Sequence, residues 1–231
     1  MMNVLVVGAS RGVGLGFVST LRARGDRVFA ASRTLAGGPD ALSLDVTDER
    51  SVAAAAARVA GQGVALDLLL VTSGMLHEPG HSPEKSLKQV DPERMLRSFA
   101  VNTVGPLLVA KHFLPLMVKT RPRFVVLSAR VGSVGDNRLG GWYGYRASKA
   151  ALNMSVRNVA IELERRGGGG VAMLLHPGTV ATALSEPFAD PRHHTIFTVD
   201  EAVGHLLPLI DAATEAQSGR FFAWDGAEIP W

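Results

Sequence analysis

Tyr145 and Lys149 have the residue types and the spacing that a proton-transfer site requires. Residues four apart on a helix share one face and lie within reach of each other. A phenol with a reference pKa of about 10 is a poor acid–base at neutral pH, but a neighbouring ammonium group stabilises the phenolate. Lowering that pKa to about 7 requires roughly 4 kcal/mol of differential stabilisation. The pair predicts a tyrosine acid–base, although an aromatic and a lysine on an ordinary amphipathic helix have the same spacing. Tyr143 has Ala147 four residues on and lacks such a partner.

A glycine-rich segment follows the first strand-like run of the sequence, residues 3–7. Gly8, Gly12 and Gly14 are spaced Gly-x-x-x-Gly-x-Gly, which differs from the more common Gly-x-Gly-x-x-Gly pattern. Glycines allow a sharp turn and let a pyrophosphate approach the N-terminus of the next helix, where free N–H groups and the helix dipole favour an anion. The position between the first strand and the first helix predicts a nucleotide-binding loop. A tight strand–helix turn without a ligand is the alternative.

The end of the second predicted strand indicates which nucleotide this loop would bind. An acidic residue there would hold the ribose hydroxyls of NAD, whereas an arginine accommodates the extra phosphate of NADP. The sequence has Arg33 at this position, and Arg11 in the glycine loop adds a second positive charge. We therefore predict NADP(H), with two solvated surface arginines as the alternative. Asp45, after the third predicted strand, is a candidate acceptor for the adenine amino group or simply an aspartate that precedes a helix.

The elements that must position these residues alternate along the whole chain. Nearly continuous apolar runs are typical of strands that helices cover on both faces, and longer helical patterns separate them here. The predicted strands are residues 3–7, 27–31, 42–44, 66–71, 124–127, 171–175 and 220–223. The predicted helices are residues 12–24, 49–60, 92–119, 144–166 and 200–213. This alternation predicts an α/β fold, with residues 1–231 forming a single Rossmann-type domain. Its doubly wound parallel sheet would have about seven strands, flanked by helices on both faces.

The composition excludes several other classes of protein. Of 231 residues, 47% are hydrophobic and 19% are charged, which is an ordinary globular balance. The chain has no cysteine, which excludes disulfides, thiolate metal sites and cysteine nucleophiles. The formal net charge is only +3 and the basic residues are scattered, so nucleic-acid binding is not expected. No apolar run reaches the length of a membrane span and no signal-type segment precedes the first strand. We therefore predict a cytoplasmic protein without membrane contact.

Four motifs follow one another in the order found in a known enzyme family: GASRGVG, AVNTVGP, YRASK and HPGTV. Together they span nearly the whole chain and resemble the short-chain dehydrogenase/reductase family. Within that family, the segments LSARVGSVGDN, GGWYGYRASKAALN and RFFAWDGAEIPW resemble the group of C-factor and sniffer-type carbonyl reductases. The resemblance implies that Tyr145 is the acid–base and that Lys149 binds the nicotinamide ribose and lowers the tyrosine pKa. It also implies that Asn102 helps to hold a proton-relay water.

The resemblance further implies that the turn after the sixth strand lines the nicotinamide. Pro177, Gly178 and Val180 would lie against the ring, with Thr182 near its carboxamide. The full set of predicted cofactor-binding residues is Gly8, Ser10, Arg11, Gly12, Val13, Gly14, Arg33, Asp45, Val46, Thr72, Ser73, Gly74, Tyr145, Lys149, Pro177, Gly178, Val180 and Thr182.

Three positions depart from the family pattern. Val7 stands where a threonine usually precedes the first glycine, and residues 71–74 (VTSG) replace Asn-Asn-Ala-Gly after the fourth strand. Ala129 stands where a serine would polarise the substrate carbonyl, and alanine cannot donate a hydrogen bond. Loss of such a donor typically lowers the rate by about 10²–10³. We predict that Ser133 takes over this role, with Ser128 as the alternative.

These observations lead to two hypotheses for function. The first is an NADP(H)-dependent oxidoreductase that transfers hydride between the nicotinamide and a small carbonyl or alcohol substrate, with Tyr145 as the acid–base. The second is an NADP(H)-binding regulatory or signalling protein with weak catalysis, motivated by the missing serine. A metal enzyme using His193 and His194 is disfavoured, because adjacent histidines without nearby carboxylates are typical of a solvated loop. The residues expected near the substrate favour a hydrophobic compound: Met75, Leu76, Trp142, Leu184 and Phe188.

Two further expectations concern the surroundings of the site. Residues 181–198 contain two prolines and no clear period, which predicts a mobile lid. The predicted helices over residues 92–119 and 144–166 carry apolar residues around much of their circumference. We therefore predict a homodimer or homotetramer that forms through these two helices, as the family resemblance also implies.

Overall fold

A computed structural model describes residues 1–35, 37–78, 80–190, 192 and 195–231 of the chain. Its strands are β1 (Asn3–Val7), β2 (Arg27–Ser32), β3 (Ala41–Ser43), β4 (Leu68–Val71), β5 (Arg123–Leu127), β6 (Val171–His176), β7 (Thr179–Val180), β8 (Ile196–Phe197) and β9 (Phe221–Ala223). Its α-helices are α1 (Gly12–Ala23), α2 (Glu49–Ala60), α3 (Pro92–Phe99), α4 (Gly105–Phe113), α5 (Tyr143–Arg166) and α6 (Val199–Asp211).

Seven of the strands form one parallel sheet in the order β3-β2-β1-β4-β5-β6-β9. The order reverses between β1 and β4, so the loops that follow these strands open a crevice at their carboxyl ends. Dinucleotides bind at such switch points in open α/β sheets. The predicted Rossmann-type fold, with a doubly wound parallel sheet of seven strands, is confirmed.

The central strands are apolar throughout because helices cover both faces of the sheet. In β1, Leu5 and Val7 belong to one core, which they share with α2, α4 and α5. Val4 and Val6 point to the opposite face and pack into the second core with α1 and α6. All four side chains are at most 1% exposed. This two-sided burial explains the continuous hydrophobic runs, since neither face of a central strand meets water.

The prediction of one continuous helix over residues 92–119 is wrong. The segment divides into α3, a π-helical turn at Ala100–Val104, α4 and a 3₁₀ turn at Leu114–Leu116. The π-helical turn holds Asn102, which is completely buried. Such turns are common at functional sites because an inserted residue changes the direction of the side chains around it. Hydrophobic periodicity cannot reveal a turn of this kind, since the apolar pattern continues across it.

The helical segment Pro92–Leu116 is long and apolar enough, by length and composition alone, to cross a membrane. The segment is not an uninterrupted apolar run, since it contains charged residues such as Glu93, Arg94 and Lys111. Val109, Ala110 and Phe113 of the segment lie in the core against the sheet, and none is more than 2% exposed. Packing against the sheet accounts for the apolar character of α4.

The predicted lid, residues 181–198, is partly ordered by pairing that the sequence pattern did not indicate. β8 pairs in parallel with β7, directly after the turn that follows β6. A 3₁₀ turn at Glu186–Phe188 lies between these two strands. His193 and His194, considered above as metal ligands, lie outside the described residues. Within the described part of the chain, no group of three His, Asp or Glu side chains could hold a metal ion.

Oligomer formation stays a prediction, and exposed apolar side chains on neighbouring helices now sharpen it. Leu96 on α3 is 70% exposed and Met154 on α5 is 64% exposed, while α3 packs against α5. We expect sedimentation at micromolar concentration to give a dimer or tetramer, and Met154→Glu to shift it towards monomer because a charge in the interface is costly. Leu139→Glu is the control, since Leu139 lies in a loop and is 91% exposed. A wild-type protein that sediments only as monomer would contradict the prediction.

Candidate functional site

The glycine loop after β1 forms a tight cradle against the end of β4. Gly8 has a φ of 93°, a conformation that side chains disfavour. A Cβ on Gly14 would lie 2.2 Å from the Gly8 carbonyl oxygen and 2.5 Å from Thr72 Oγ1. Thr72 Oγ1 itself donates to the Val7 carbonyl at 2.8 Å, so one hydroxyl fixes the strand end and packs on the loop. Only glycine fits at both loop positions.

The N-terminus of α1 opens towards this cradle without a side-chain cap. Its N-cap residue, Arg11, is extended, with φ −161° and ψ 171°, and makes no capping hydrogen bond. Most helices satisfy their first N–H groups with a Ser, Thr, Asp or Asn side chain. The N–H groups at this end are therefore suited to an anion such as a pyrophosphate, as the loop sequence predicts. Ser10, Gly12 and Val13 form the same loop.

Arg33 and Asp45 come together at the carboxyl ends of β2 and β3. Arg33 is exposed directly after β2, and Arg11 is exposed at the start of α1. Burial opposes ionisation of Asp45, but hydrogen bonds from Thr47 and the charge of Arg33 hold the pKa of Asp45 below its ordinary value. Asp45 Oδ1 accepts from the Thr47 N–H at 2.9 Å and from Thr47 Oγ1 at 2.7 Å. Asp45 lies in the turn before α2, but the N-cap of that helix is Asp48.

Tyr145 and Lys149 lie in the first two turns of α5 and are 8% and 4% exposed. Lys149 Nζ lies 6.0 Å from the centre of the Tyr145 ring and donates to the Leu127 carbonyl at 3.0 Å. Burial raises the pKa of Tyr145 well above its ordinary value and lowers the pKa of Lys149 to about 8. Loss of hydration disfavours the charged form of each group. The side chains around the phenol thus keep it protonated at neutral pH, opposite to the direction that the Tyr–Lys spacing suggests.

Asn102 connects the loop after β4 to the second turn of α5. Its Oδ1 accepts the Met75 N–H at 2.8 Å, and its Nδ2 donates to the Met75 carbonyl at 2.8 Å and to Ser148 Oγ at 3.0 Å. Ser148 Oγ donates in turn to the Tyr145 carbonyl at 2.8 Å. A Cβ on Gly74 would lie 3.6 Å from both Asn102 Oδ1 and Lys149 Nζ. The structure therefore brings Asn102 and Lys149 together at Gly74. That Asn102 helps to hold a proton-relay water stays a prediction. Ser73 Oγ is buried beside this point without a hydrogen-bond partner among the described residues.

The two serines predicted to replace the missing donor at Ala129 have different surroundings. Ser128 Oγ donates to Asn153 Oδ1 at 2.7 Å, which commits its hydrogen to the helix behind it. Ser133 Oγ instead accepts from the Asp136 N–H at 3.0 Å, which leaves its own hydrogen for another acceptor. A Cβ on Gly132 would lie 2.6 Å from Lys149 Cβ. This close approach packs the Ser133 loop directly on the part of α5 that carries the Tyr–Lys pair.

The turn after β6 lies next to the glycine loop. A Cβ on Gly12 would stand 3.2 Å from Thr182 Cγ2, so Thr182 lies against the glycine loop. Gly178 has a φ of 77°, and a Cβ there would lie 2.7 Å from the Phe197 ring. Phe197 of β8 therefore fixes the turn that Pro177 and Gly178 form. Val180 is 4% exposed in the same small core. Val46, at the opposite side of the crevice, is 8% exposed and contacts the start of α4.

A small, open cleft lies in front of Tyr145. The Trp142 ring lies 6.2 Å from the Tyr145 ring and 5.2 Å from the Phe188 ring, but neither Trp142 nor Phe188 lines the cleft itself. The expectation of a mostly apolar pocket is wrong in two respects. Trp142, Leu184 and Phe188 do not line the cleft, and most of its lining is polar. The cleft is lined by Met75, Leu76, His77, Glu78, His81, Ser82, Pro83, Glu84, Arg94, Ser98 and Tyr145.

Glu84 is a site residue that the sequence pattern did not indicate. It is 8% exposed, and its Oε2 accepts the Gly144 N–H at 3.2 Å. Its carbonyl also accepts the N–H of Trp142, which has a φ of 51°. Glu84 thus replaces the missing side-chain cap of α5, directly before Tyr145. A glutamate more than fifty positions away along the chain carries no local signal for this role, because caps are recognised from neighbouring residues.

Removing this cap should reduce turnover by displacing the phenol. We expect Glu84→Ala to lower kcat about tenfold, because the first turn of α5 loses its anchor, and Glu84→Gln to retain most of the activity by keeping an acceptor. Glu164→Ala, at the exposed far end of the same helix, is the matched control. Steady-state kinetics with circular dichroism of each variant would check this, and equal kcat for Glu84→Ala and wild type would contradict it.

Comparison with known proteins agrees with this arrangement. The family model described as short chain dehydrogenase matches residues 2–192. A 1-hydroxy-2-glutathionyl-2-methyl-3-butene dehydrogenase from Rhodococcus sp. (strain AD45) is 37% identical over 241 residues, covering 100% of both chains. The C-signal protein of Myxococcus xanthus is 40% identical over 147 residues, which are 63% of this chain and 84% of that protein.

A solved structure gives the same result at the level of the fold. The NADPH-bound carbonyl reductase from chicken fatty liver has a TM-score of 0.86 and 31% identity, covering 100% of this chain and 94% of that one. The resemblance to the C-factor and carbonyl reductase group is thereby confirmed. The chain belongs to the short-chain dehydrogenase family of oxidoreductases, because it shares the motifs, the sheet and full-length similarity with that family.

Proposed function

We propose that the protein is an NADP(H)-dependent oxidoreductase that interconverts a small carbonyl compound and its alcohol. The observation that carries this proposal is the buried Tyr145–Lys149 pair, which opens on a cleft beside the glycine cradle. Similarity to an NADPH-bound carbonyl reductase supports the choice of cofactor. A bound nicotinamide would exchange hydride with the carbonyl carbon. The side chains of this protein would bind and orient the substrate and protonate its oxygen.

The donor set of the crevice fits a dinucleotide phosphate. The glycine loop and the uncapped start of α1 would bind the pyrophosphate, because their N–H groups converge without a side-chain acceptor. Arg33 and Arg11 would bind the 2′-phosphate that distinguishes NADP from NAD. Lys149 would donate to the ribose, and the turn at Gly178 would lie against the nicotinamide. Asp45 and Val46 would border the adenine.

Tyr145 would act as the proton donor in carbonyl reduction. Burial holds the pKa of the phenol high, so the group is neutral at physiological pH and carries the proton that a developing alkoxide requires. The ammonium of Lys149 lies near the ring and would stabilise the phenolate left after transfer. In alcohol oxidation the same groups would act in reverse, and the positive charge of an oxidised nicotinamide would favour the phenolate.

Ser133 would polarise the substrate oxygen in place of the residue at Ala129. We expect Ser133→Ala to lower kcat by about 10²–10³, because a hydrogen-bond donor to the developing oxyanion is lost. Ser128→Ala should change kcat much less and lower stability instead, since the Ser128 hydroxyl is bonded to buried Asn153. Parallel kinetics and denaturant unfolding of both variants would check the assignment. The reverse pattern of effects would transfer the role to Ser128.

The proposed function is tested by NADPH oxidation over a panel of small aldehydes and ketones, compared with NADH. We expect turnover with a preference for NADPH, which Arg33→Asp should reverse. Tight NADPH binding without turnover of any substrate, in either direction, would instead favour a regulatory or signalling role. Two observations favour this second candidate: the similarity to C-signal and the alanine at position 129.

The remaining expectations belong to the same proposal. Residues 181–198 would act as a lid, since Phe188 of this segment contacts Trp142 and also His77, which lines the cleft. The enzyme would work as a cytoplasmic homodimer or homotetramer.

A further inference from the structure

We propose that the cleft in front of Tyr145 binds a substrate with a negatively charged group, and that Arg94 is its anchor. This inference rests on the proposed oxidoreductase function and names the class of substrate: a carbonyl compound or alcohol that carries a carboxylate at some distance from the reacting carbon. The composition of the cleft suggests a charged ligand, since two histidines, two glutamates and one arginine line it.

Both acidic side chains of the cleft are already engaged within the protein. Glu78 accepts two hydrogen bonds from Arg97, at 2.8 Å from Nε and 3.0 Å from Nη2. Such a bidentate pair uses one face of the carboxylate and balances its charge. Glu84 accepts the Gly144 N–H at the start of α5, where the helix dipole also favours a negative charge. Neither carboxylate is therefore left to repel an anionic ligand at full strength.

The Arg94 side chain, by contrast, has only weak partners among the residues that the structure describes. Its Nη1 lies 3.4 Å from His81 Nδ1, and its Nε lies 3.8 Å from Asp91 Oδ1. A guanidinium has five N–H donors, and these two contacts are long for hydrogen bonds. The Arg94 side chain is 32% exposed, so part of it is removed from water and would gain from a ligand acceptor. A planar carboxylate matches its fork geometry.

Part of the cleft suits an apolar body. Met75, Leu76 and Pro83 form an apolar wall in its lining. The lining residue His77 packs edge-on to Phe188, with ring centres 5.5 Å apart. A substrate with its carbonyl at Tyr145, its apolar part on this wall and its carboxylate at Arg94 would use every part of the cleft. An uncharged substrate would leave Arg94 without its strongest available partner.

The test compares two aldehydes that differ only in charge, 4-formylbenzoate and its methyl ester, with NADPH in excess. We expect wild type to have a KM for the acid about tenfold below that for the ester, and Arg94→Gln to raise the KM of the acid about tenfold with kcat and the ester unchanged. Arg94→Lys should give an intermediate KM, because it keeps the charge and loses the fork. Arg58→Gln on α2 removes the same charge from an exposed helix elsewhere and serves as control.

Two outcomes separate this inference from the proposed function. Equal KM values for acid and ester in wild type, or an Arg94→Gln variant with an unchanged acid-to-ester ratio, would overturn the anchor while the oxidoreductase stands. If neither aldehyde is reduced, calorimetric titration of 4-formylbenzoate decides the point without turnover. Binding that weakens in Arg94→Gln but not in Arg58→Gln would support the anion site, and no difference between these variants would refute it.

Discussion

Tyr145→Phe will lower kcat by about 10³ while leaving NADPH binding unchanged. The change removes one oxygen atom and keeps the ring that packs 6.2 Å from Trp142. General acid catalysis contributes about 10²–10⁴ to a rate, and no other phenol lies on the cleft wall to replace the group. Because the Lys149 ammonium is bonded to the Leu127 carbonyl rather than to the phenol, its position should survive the change. The measurement is single-turnover NADPH oxidation beside NADPH titration by fluorescence.

Tyr143→Phe is the matched control for this prediction. Tyr143 lies two residues earlier on the same helix, and only these two tyrosines occur in the chain. It lacks a lysine four residues on, and we expect its loss to change kcat by less than about threefold. An unchanged kcat in Tyr145→Phe would remove the phenol from the mechanism. A loss of NADPH binding in that variant would show a structural effect instead.

Gly14→Ala will abolish nucleotide binding and destabilise the protein by about 3 kcal/mol. Its Cβ would lie 2.2 Å from the Gly8 carbonyl oxygen and 2.5 Å from Thr72 Oγ1, distances that no real contact allows. Backbone atoms cannot move aside as a flexible side chain can, so the whole loop must shift. A shifted loop loses the converging N–H groups that would bind a pyrophosphate. Denaturant unfolding and NADPH titration check the two effects separately.

Gly204→Ala provides the control for the glycine loop. Gly204 lies inside α6, and a Cβ there meets nothing within 4 Å. Alanine in a helix interior is favoured over glycine by about 0.5–1 kcal/mol, so this variant should be slightly more stable than wild type. A Gly14→Ala protein that binds NADPH as tightly as Gly204→Ala would refute the role assigned to the cradle.

The sequence alone was sufficient to predict the fold and to name candidate residues for the site. Near-continuous apolar runs such as that of β1 predicted a two-sided sheet, because burial on both faces leaves no room for alternation. The order of four motifs predicted the family, and the spacing of Tyr145 and Lys149 placed both on one helix face. Arg33 and the absence of an acid after β2 were likewise readable, since they depend only on position along the chain.

Contacts between distant segments could be known only from the tertiary structure. Glu84 caps α5 from the segment between β4 and α3, 60 positions away along the chain, and the π-helical turn at Asn102 interrupts no hydrophobic period. The sequence favoured Ser133 over Ser128 only by position along the loop, and the tertiary structure adds a physical difference, because Asn153 accepts the hydrogen of Ser128.

The Tyr145–Lys149 pair shows most clearly which properties follow from local sequence and which depend on tertiary packing. Helical spacing determined that the two residues are neighbours, but it predicted a lowered phenol pKa because the charge of a lysine acts over a short distance. Burial, which depends on the packing of the whole domain, raises the pKa of Tyr145 and lowers that of Lys149 instead. Local spacing thus decided which groups meet. The surrounding fold decided which protonation state each group holds, because every segment that excludes water from the site adds to the desolvation.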